Sequence, residues 1–349
     1  MKNNHYHWAV PLTGVLLLGA GGSMFAQTQP PLEPAPALAA TNRLTLSLRY
    51  AFNIDAKLRG IGSAGPGHYA DGYVLPDSTG NYLGYTSYWG YNNASQYNGA
   101  VQNTFSFHNP YPGSSAAPSS SEDNSEPGVE LTYDHQLGVK EDWHHLRYGV
   151  EGALNYMKFS LNTTSSYNAA VATENYTFGG IPGQIPSAGH RGSYSGNPGD
   201  PVLYATGTSG PDTTGTLVSQ DDFDANIWGG RLGPYVEMPF GKQQQFTLAL
   251  SGGLAAALID ANESWKQTLT LAGGAGSGTT TGGGNNVDVL WGWYAALTAN
   301  YQFTEHWGLA GGLQFQDIGT YSHSFHGRIA QLDLSQSLFL ELGVSYSFK

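Results

Sequence analysis

The chain has 349 residues, no cysteine, and only 11% charged residues, under half of the roughly 25% in an ordinary soluble globular chain. Its 48 glycines, 22 tyrosines, 14 phenylalanines and 8 tryptophans suit strands and disfavour a helical cytosolic enzyme, whose exposed faces need Lys, Arg and Glu. A formal charge of -12 without a basic cluster argues against nucleic acid as a partner, because displacing phosphate counterions takes grouped Lys and Arg. The missing cysteine removes disulfides, thiolate metal ligands and a thiol nucleophile.

Lys2 precedes an apolar run, Ala9 to Ala20, and small residues lead on to Met24-Phe25-Ala26-Gln27. This is the pattern of a cleaved secretory signal over residues 1–26. About 12 apolar residues are too few for a helix to span a bilayer, which needs roughly 20. Residues 27–42 are rich in Pro and Ala and read as a periplasmic tether. The outer-membrane barrel is assigned to 43–349.

From Leu44 the period becomes two. Leu44, Leu46, Leu48, Tyr50, Phe52 and Ile54 alternate with Thr45, Ser47, Arg49, Ala51 and Asn53, which gives a half-buried strand long enough to cross a bilayer at a tilt. Seven further segments repeat the pattern, starting near Gly128, Leu146, Asn226, Phe246, Val287, Trp307 and Gln331. In the fourth, Leu232, Pro234, Val236 and Met238 form the apolar set, while Phe223, Ala225 and Ile227 upstream lie in the opposite phase. A bulge near Gly229-Gly230 is expected to restore the register.

Short links at Lys140–His145, Pro239–Gln245 and Thr304–His306 alternate with long ones near 56–127, 160–221, 260–286 and 317–330. Short turns on the periplasmic side and long loops outside follow from that alternation. The long links, including the glycine-rich Ala272 to Gly284, read as exposed irregular loops; the glycine run lacks the GK[ST] ending of a phosphate loop. Aromatic girdles are expected at Trp143, Tyr301, Phe303, Trp307, Tyr346 and Phe348 on the periplasmic side, and at Trp265, Trp291 and Trp293 outside. His135 is anomalous, since strict alternation points it at lipid.

The fold class is therefore all-β: an eight-stranded antiparallel transmembrane β-barrel with long extracellular loops. As architecture, residues 43–348 resemble the small eight-stranded outer-membrane barrels, the class of the OmpA, OmpX and OmpW types. The motif that carries the resemblance is the final strand, Leu338-Phe339-Leu340-Glu341-Leu342-Gly343-Val344-Ser345-Tyr346-Ser347-Phe348, followed here by Lys349. The resemblance implies a bacterial outer-membrane location, surrounding lipid as a partner, and Tyr346 and Phe348 as the signal read by the barrel-assembly machinery.

An eight-stranded barrel has room for side chains or one small ligand. Alternation points Arg49, Glu130, Asp134, Arg147, Glu151, Arg231, Glu237 and Glu341 inward, where opposite charges neutralise one another. The function expected is structural or adhesive, through the long loops and a plugged polar lumen, with a glycan or protein as ligand of the tyrosine-rich first loop. The alternative is a narrow small-solute or cation pore, favoured by the excess of acids. His323 and His326 near Ser322 and Ser324 resemble, at a distance, the lipid A deacylase barrels. No acid completes a triad and no ligand spacing defines a metal site there or at His144-His145, so neither an enzyme nor a cofactor is expected.

Overall fold

A computed structural model of the chain describes residues 41–349 apart from 63–64, 78–84, 100–102, 112–119, 144, 180–201, 242–243 and 273–275. The expected leader and nearly all of the tether lie outside the described residues. In chain order the strands are β1 Asn42–Gly60, β2 His68–Tyr69, β3 Gly72–Leu75, β4 Tyr85–Thr86, β5 Tyr88–Tyr91, β6 Tyr97–Asn98, β7 Thr104–Pro110, β8 Ser120–Lys140 and β9 Leu146–Phe178. They continue with β10 Leu203–Phe240, β11 Phe246–Leu271, β12 Ser277–Gln302, β13 Trp307–Asp317, β14 Thr320–Phe325, β15 Arg328–Asp333 and β16 Ser337–Phe348.

Eight of them form an antiparallel ring in the order β1, β8, β9, β10, β11, β12, β13, β16 and back to β1. One arc of that ring runs Leu250, Leu297, Leu313, Leu340, Tyr50, each the Cα partner of the next. Closure satisfies the backbone donors and acceptors of every strand, the condition for crossing hydrocarbon with strands. The outward side chains of this section are apolar: Leu48, Leu154, Leu232, Leu254 and Leu342 are each more than 60% exposed. Trp228, Trp291 and Tyr156 lie near the top of the apolar band, which Val289 and Val287 extend on β12; outward positions beyond it include Lys158, Asp224, Asp260, Asn262 and Lys266.

The strands continue far past that border, where the polarity of the two faces reverses. Phe159, Leu161, Phe223, Ile227 and Ile259 point inward and are at most 3% exposed, while charged and amide residues face outward. The extramembrane part is built like a soluble sheet, apolar inside. The phase of β10 does not change to achieve this. Its pairing with β9 is unbroken from Leu217 to Glu237 and includes Gly229↔Asn155 and Gly230↔Leu154. The bulge expected there is absent, and Phe223, Ala225 and Ile227 are lumen residues.

In β1 the phase does change. Asn53 has φ +61 and the β1–β8 register slips between Ala51 and Ile54, so Ile54, expected outside, is fully buried. Asparagine tolerates this left-handed backbone better than a branched residue does. Trp265, expected in the outer girdle, is 3% exposed and inward; its ring lies against Gly62 and Gly282, where a Cβ would collide with it. His135 sits where β8 meets the start of β1, and its Nδ1 lies 2.9 Å from Asn42 Oδ1.

The long links differ most from expectation. Much of 160–221 and 260–286 is ladder: β9 pairs with β10 out to Phe178↔Leu203, and β11 with β12 out to Thr270↔Ser277. The glycine run lies mostly in β12. Link 317–330 contains the β14–β15 hairpin, and the expected eighth strand is interrupted between Asp333 and Ser337. Link 56–127 contains the small sheet β2-β3-β5, while β7 pairs with the end of β9. Trp89, Tyr91, Phe105, Phe107, Phe178 and Leu203 form an aromatic core there. Tyr-rich composition without a clean period is what such a small, ring-packed cap looks like in sequence.

Candidate functional site

The lumen within the apolar band holds two tiers of charge. In the tier nearer the short turns, Arg43 Nε donates to Asp134 Oδ2 at 2.9 Å and its Nη1 to Glu237 Oε2 at 2.6 Å. Arg147 Nη1 reaches the other Glu237 oxygen at 3.4 Å, and its Nη2 donates to Gln244 Oε1 at 3.1 Å. In the next tier Glu130 lies between two guanidinium groups: Arg49 Nη1 at 2.8 Å on Oε2 and Arg231 Nη2 at 2.7 Å on Oε1. Arg231 Nη1 also bonds Glu151, which accepts from Ser251 Oγ at 3.1 Å and from the Tyr294 hydroxyl at 3.2 Å.

Aromatic faces support the same cations. Arg49 lies 3.8 Å over the Phe339 ring and Arg231 4.9 Å over Tyr294, close enough for cation–π attraction in a desolvated setting. The side chains of Arg49, Glu130 and Arg231 are at most 2% exposed.

All eight residues expected in the lumen face it. Seven of them make ion pairs there. Glu341 lies on the β16 position paired with Arg49 and is buried, but its Oε1 has no protein hydrogen-bond partner, and neither does Asp134 Oδ1. Both residues line a void of about 20 Å³, and a second void of about 30 Å³ lies beside Arg43, Arg147 and Glu237. Spaces of this size hold one or two waters. Arg43, which joins Asp134 to Glu237, is not among the expected lumen residues because the alternation is read from Leu44, one residue after it. The signal for it is parity: residues 43, 45, 47 and 49 share one face of β1.

Tyr346 and Phe348 of β16 stack with ring centroids 6.1 Å apart; Trp307 lies 5.0 Å from Tyr346. His323 rests edge-on against Phe325 at 4.7 Å, and His326 occupies the hairpin turn at φ +46. Ser322 Oγ is engaged with Gln331, on the opposite face of β14 from His323.

A closed antiparallel ring, an outward apolar band edged by aromatics, and a charge-paired interior define the outer-membrane β-barrel fold, in its small class. Similar solved structures include Ail, the attachment invasion locus protein of Yersinia pestis, in complex with the heparin analogue sucrose octasulfate (7% identity, 88% of this chain and 99% of that one, TM-score 0.28). Others are the outer membrane protease OmpT of Escherichia coli (8% identity, 88% and 96%, TM-score 0.30) and the outer membrane protein OprG of Pseudomonas aeruginosa (12% identity, 87% and 96%, TM-score 0.26). The fold assignment rests on the ring and its faces, not on these likenesses. No protein-family model matches the sequence, and no curated protein matches it.

Proposed function

We propose that this chain crosses the bacterial outer membrane with its eight-strand ring and carries out a structural or surface-interaction role through the extended hairpins and aromatic cap, its lumen serving as a fixed plug. The observation that carries this reading is the filling of the lumen. Four arginines pair there with four carboxylates, the Glu341 carboxyl is buried beside them, and the voids between them have room for one or two waters. Ions crossing such a tier would have to break buried pairs that cost several kcal/mol each to separate.

An inward apolar layer follows above it, including Phe159, Phe223 and Ile259, whose side chains offer an ion no polar partner. Tyr346 and Phe348, at the end of the last strand, serve as the recognition signal for assembly. The reading is tested by recording from the refolded protein in planar bilayers. Little or no steady conductance is expected; a sustained, cation-selective open level would overturn the plug and establish a narrow pore instead.

A further inference from the structure

The ring closes only through the membrane section. β13 pairs with β12 up to Trp293↔Asp317; above that point the upper half of β12 pairs with β11 alone and β14 with β15 alone. Above the closed section β12 and β14 therefore present two facing edges, and β8 above Gly128 and β9 above Met157 are not paired with each other either. Side chains bridge β12 and β14: Phe325 packs on Gly284, and Asn286 Nδ2 reaches the Tyr321 hydroxyl at 3.5 Å.

One charged group of the β14–β15 hairpin crosses the interior. Arg328 is 3% exposed. Its Nη2 donates to Ser219 Oγ at 2.9 Å and also bonds Asp221, both on β10, while its Nη1 donates to the Gly60 carbonyl at 2.9 Å. Only Nε faces Glu263 of β11, and at 3.6 Å it is too far to hydrogen-bond. Glu263 is 1% exposed, and neither of its oxygens has a partner; Arg328 Nε has none either. Phe223 and Ala261 bound the cluster on one side; on the other, Trp265 and the Gln267–Ser219 pair separate it from Leu217 and Leu269. The cluster holds two acids for one base.

We propose that Arg328, Asp221 and Glu263 form a pH-sensitive latch that ties the β14–β15 hairpin to β10 and β11 across the open seam, and that the tie loosens when Glu263 loses its proton. With Glu263 neutral, Arg328 and Asp221 balance. When it ionises, a second negative charge is buried beside the Asp221 carboxylate, and the one base there, Arg328, is already committed to Asp221 and hydrogen-bonds neither Glu263 oxygen.

Burial pushes Glu263 up to about 7, and the Asp221 charge adds to the rise that Arg328 opposes. A folded-state pKa above the open-state value gives stability that is fully present below the ordinary carboxylate range. It is lost as pH rises through about 7.

The other titratable groups around the cluster do not act this way. Tyr167 on β9 and Tyr321 on β14 are raised by burial and stay neutral in this range; Tyr321 also senses Asp288 of β12. The inward residues of β1 at this level, Ala56 and Leu58, do not titrate. His323 shares the face of Tyr321 and Phe325 and rests edge-on against the Phe325 ring.

The test is hydrogen exchange, read by mass spectrometry, of peptides covering 320–333 in the full chain refolded into vesicles, at about pH 6 and about pH 8.5, corrected for intrinsic exchange. Linkage from an ordinary glutamate value to about 7 predicts that protection falls about tenfold between the two conditions. Glu263→Gln should be equally protected at both, and Glu263→Met gives the same reading if the amide variant does not refold. Equal wild-type protection at both pH values would overturn the latch. So would a pH-dependent loss that persists in either Glu263 variant.

Discussion

Arg231→Ala tests the lumen plug most directly. Arg231 is the single bridge between Glu130 on β8 and Glu151 on β9, and its side chain is 2% exposed. Removing one partner of a buried pair costs about 3–5 kcal/mol, mostly because the remaining charge is left without compensation. The surroundings place this case at the lower end. Glu130 keeps Arg49 at 2.8 Å and the Thr132 hydroxyl at 3.0 Å, so Glu151 is the orphan, left with the hydroxyls of Ser251 and Tyr294. A loss of about 3 kcal/mol is expected, read as the shift of the urea unfolding transition in vesicles at constant slope. Neutralising the orphan should restore part of it, so Arg231→Ala with Glu151→Gln should be more stable than Arg231→Ala alone by about 1–2 kcal/mol. A single variant within about 1 kcal/mol of wild type, or a double variant worse than the sum of its parts, would refute the plug as an interdependent network.

Three further outcomes follow from the same geometry. Leu297 faces outward on the apolar band, so Leu297→Arg should cost roughly 2–4 kcal/mol in the same vesicle titration; no change would mean that the faces are misassigned. Phe223→Ala empties part of the extramembrane apolar layer and should cost about 3–5 kcal/mol. Because it is remote from Arg231 along β10, the two losses should add to within about 0.5 kcal/mol, which a double variant checks. At Asn53, whose φ is +61, Asn53→Gly should be nearly neutral and Asn53→Val should lose about 1–2 kcal/mol; equal stability of the two would show that the phase change in β1 does not depend on the left-handed residue.

The order of the strands in the ring and the outward set of the membrane section were legible from period-two alternation and from the alternating link lengths. Leu248, Leu297, Leu313 and Leu340 have only one favourable place once a single face must meet hydrocarbon. Parity also placed the inward charges, and would have placed Arg43 had the strand been started one residue earlier. Alternation states that two faces differ, but not which one is inside. Phe223, Ala225 and Ile227 have the same period as Leu232 and Val236, and the opposite phase was read as a slip in register. The ladder shows an unbroken strand that runs past the outward apolar band, beyond which its apolar side chains face inward. Trp265 was placed outside for the same reason, since a tryptophan near a strand end suits an interfacial girdle as well as it suits a cavity over Gly62 and Gly282. Tertiary structure alone decided these positions, along with the partners of each charge and the seam between β12 and β14. Each depends on which strands stand opposite one another across the lumen, and that distance is set by closure of the ring and not by any neighbour in sequence.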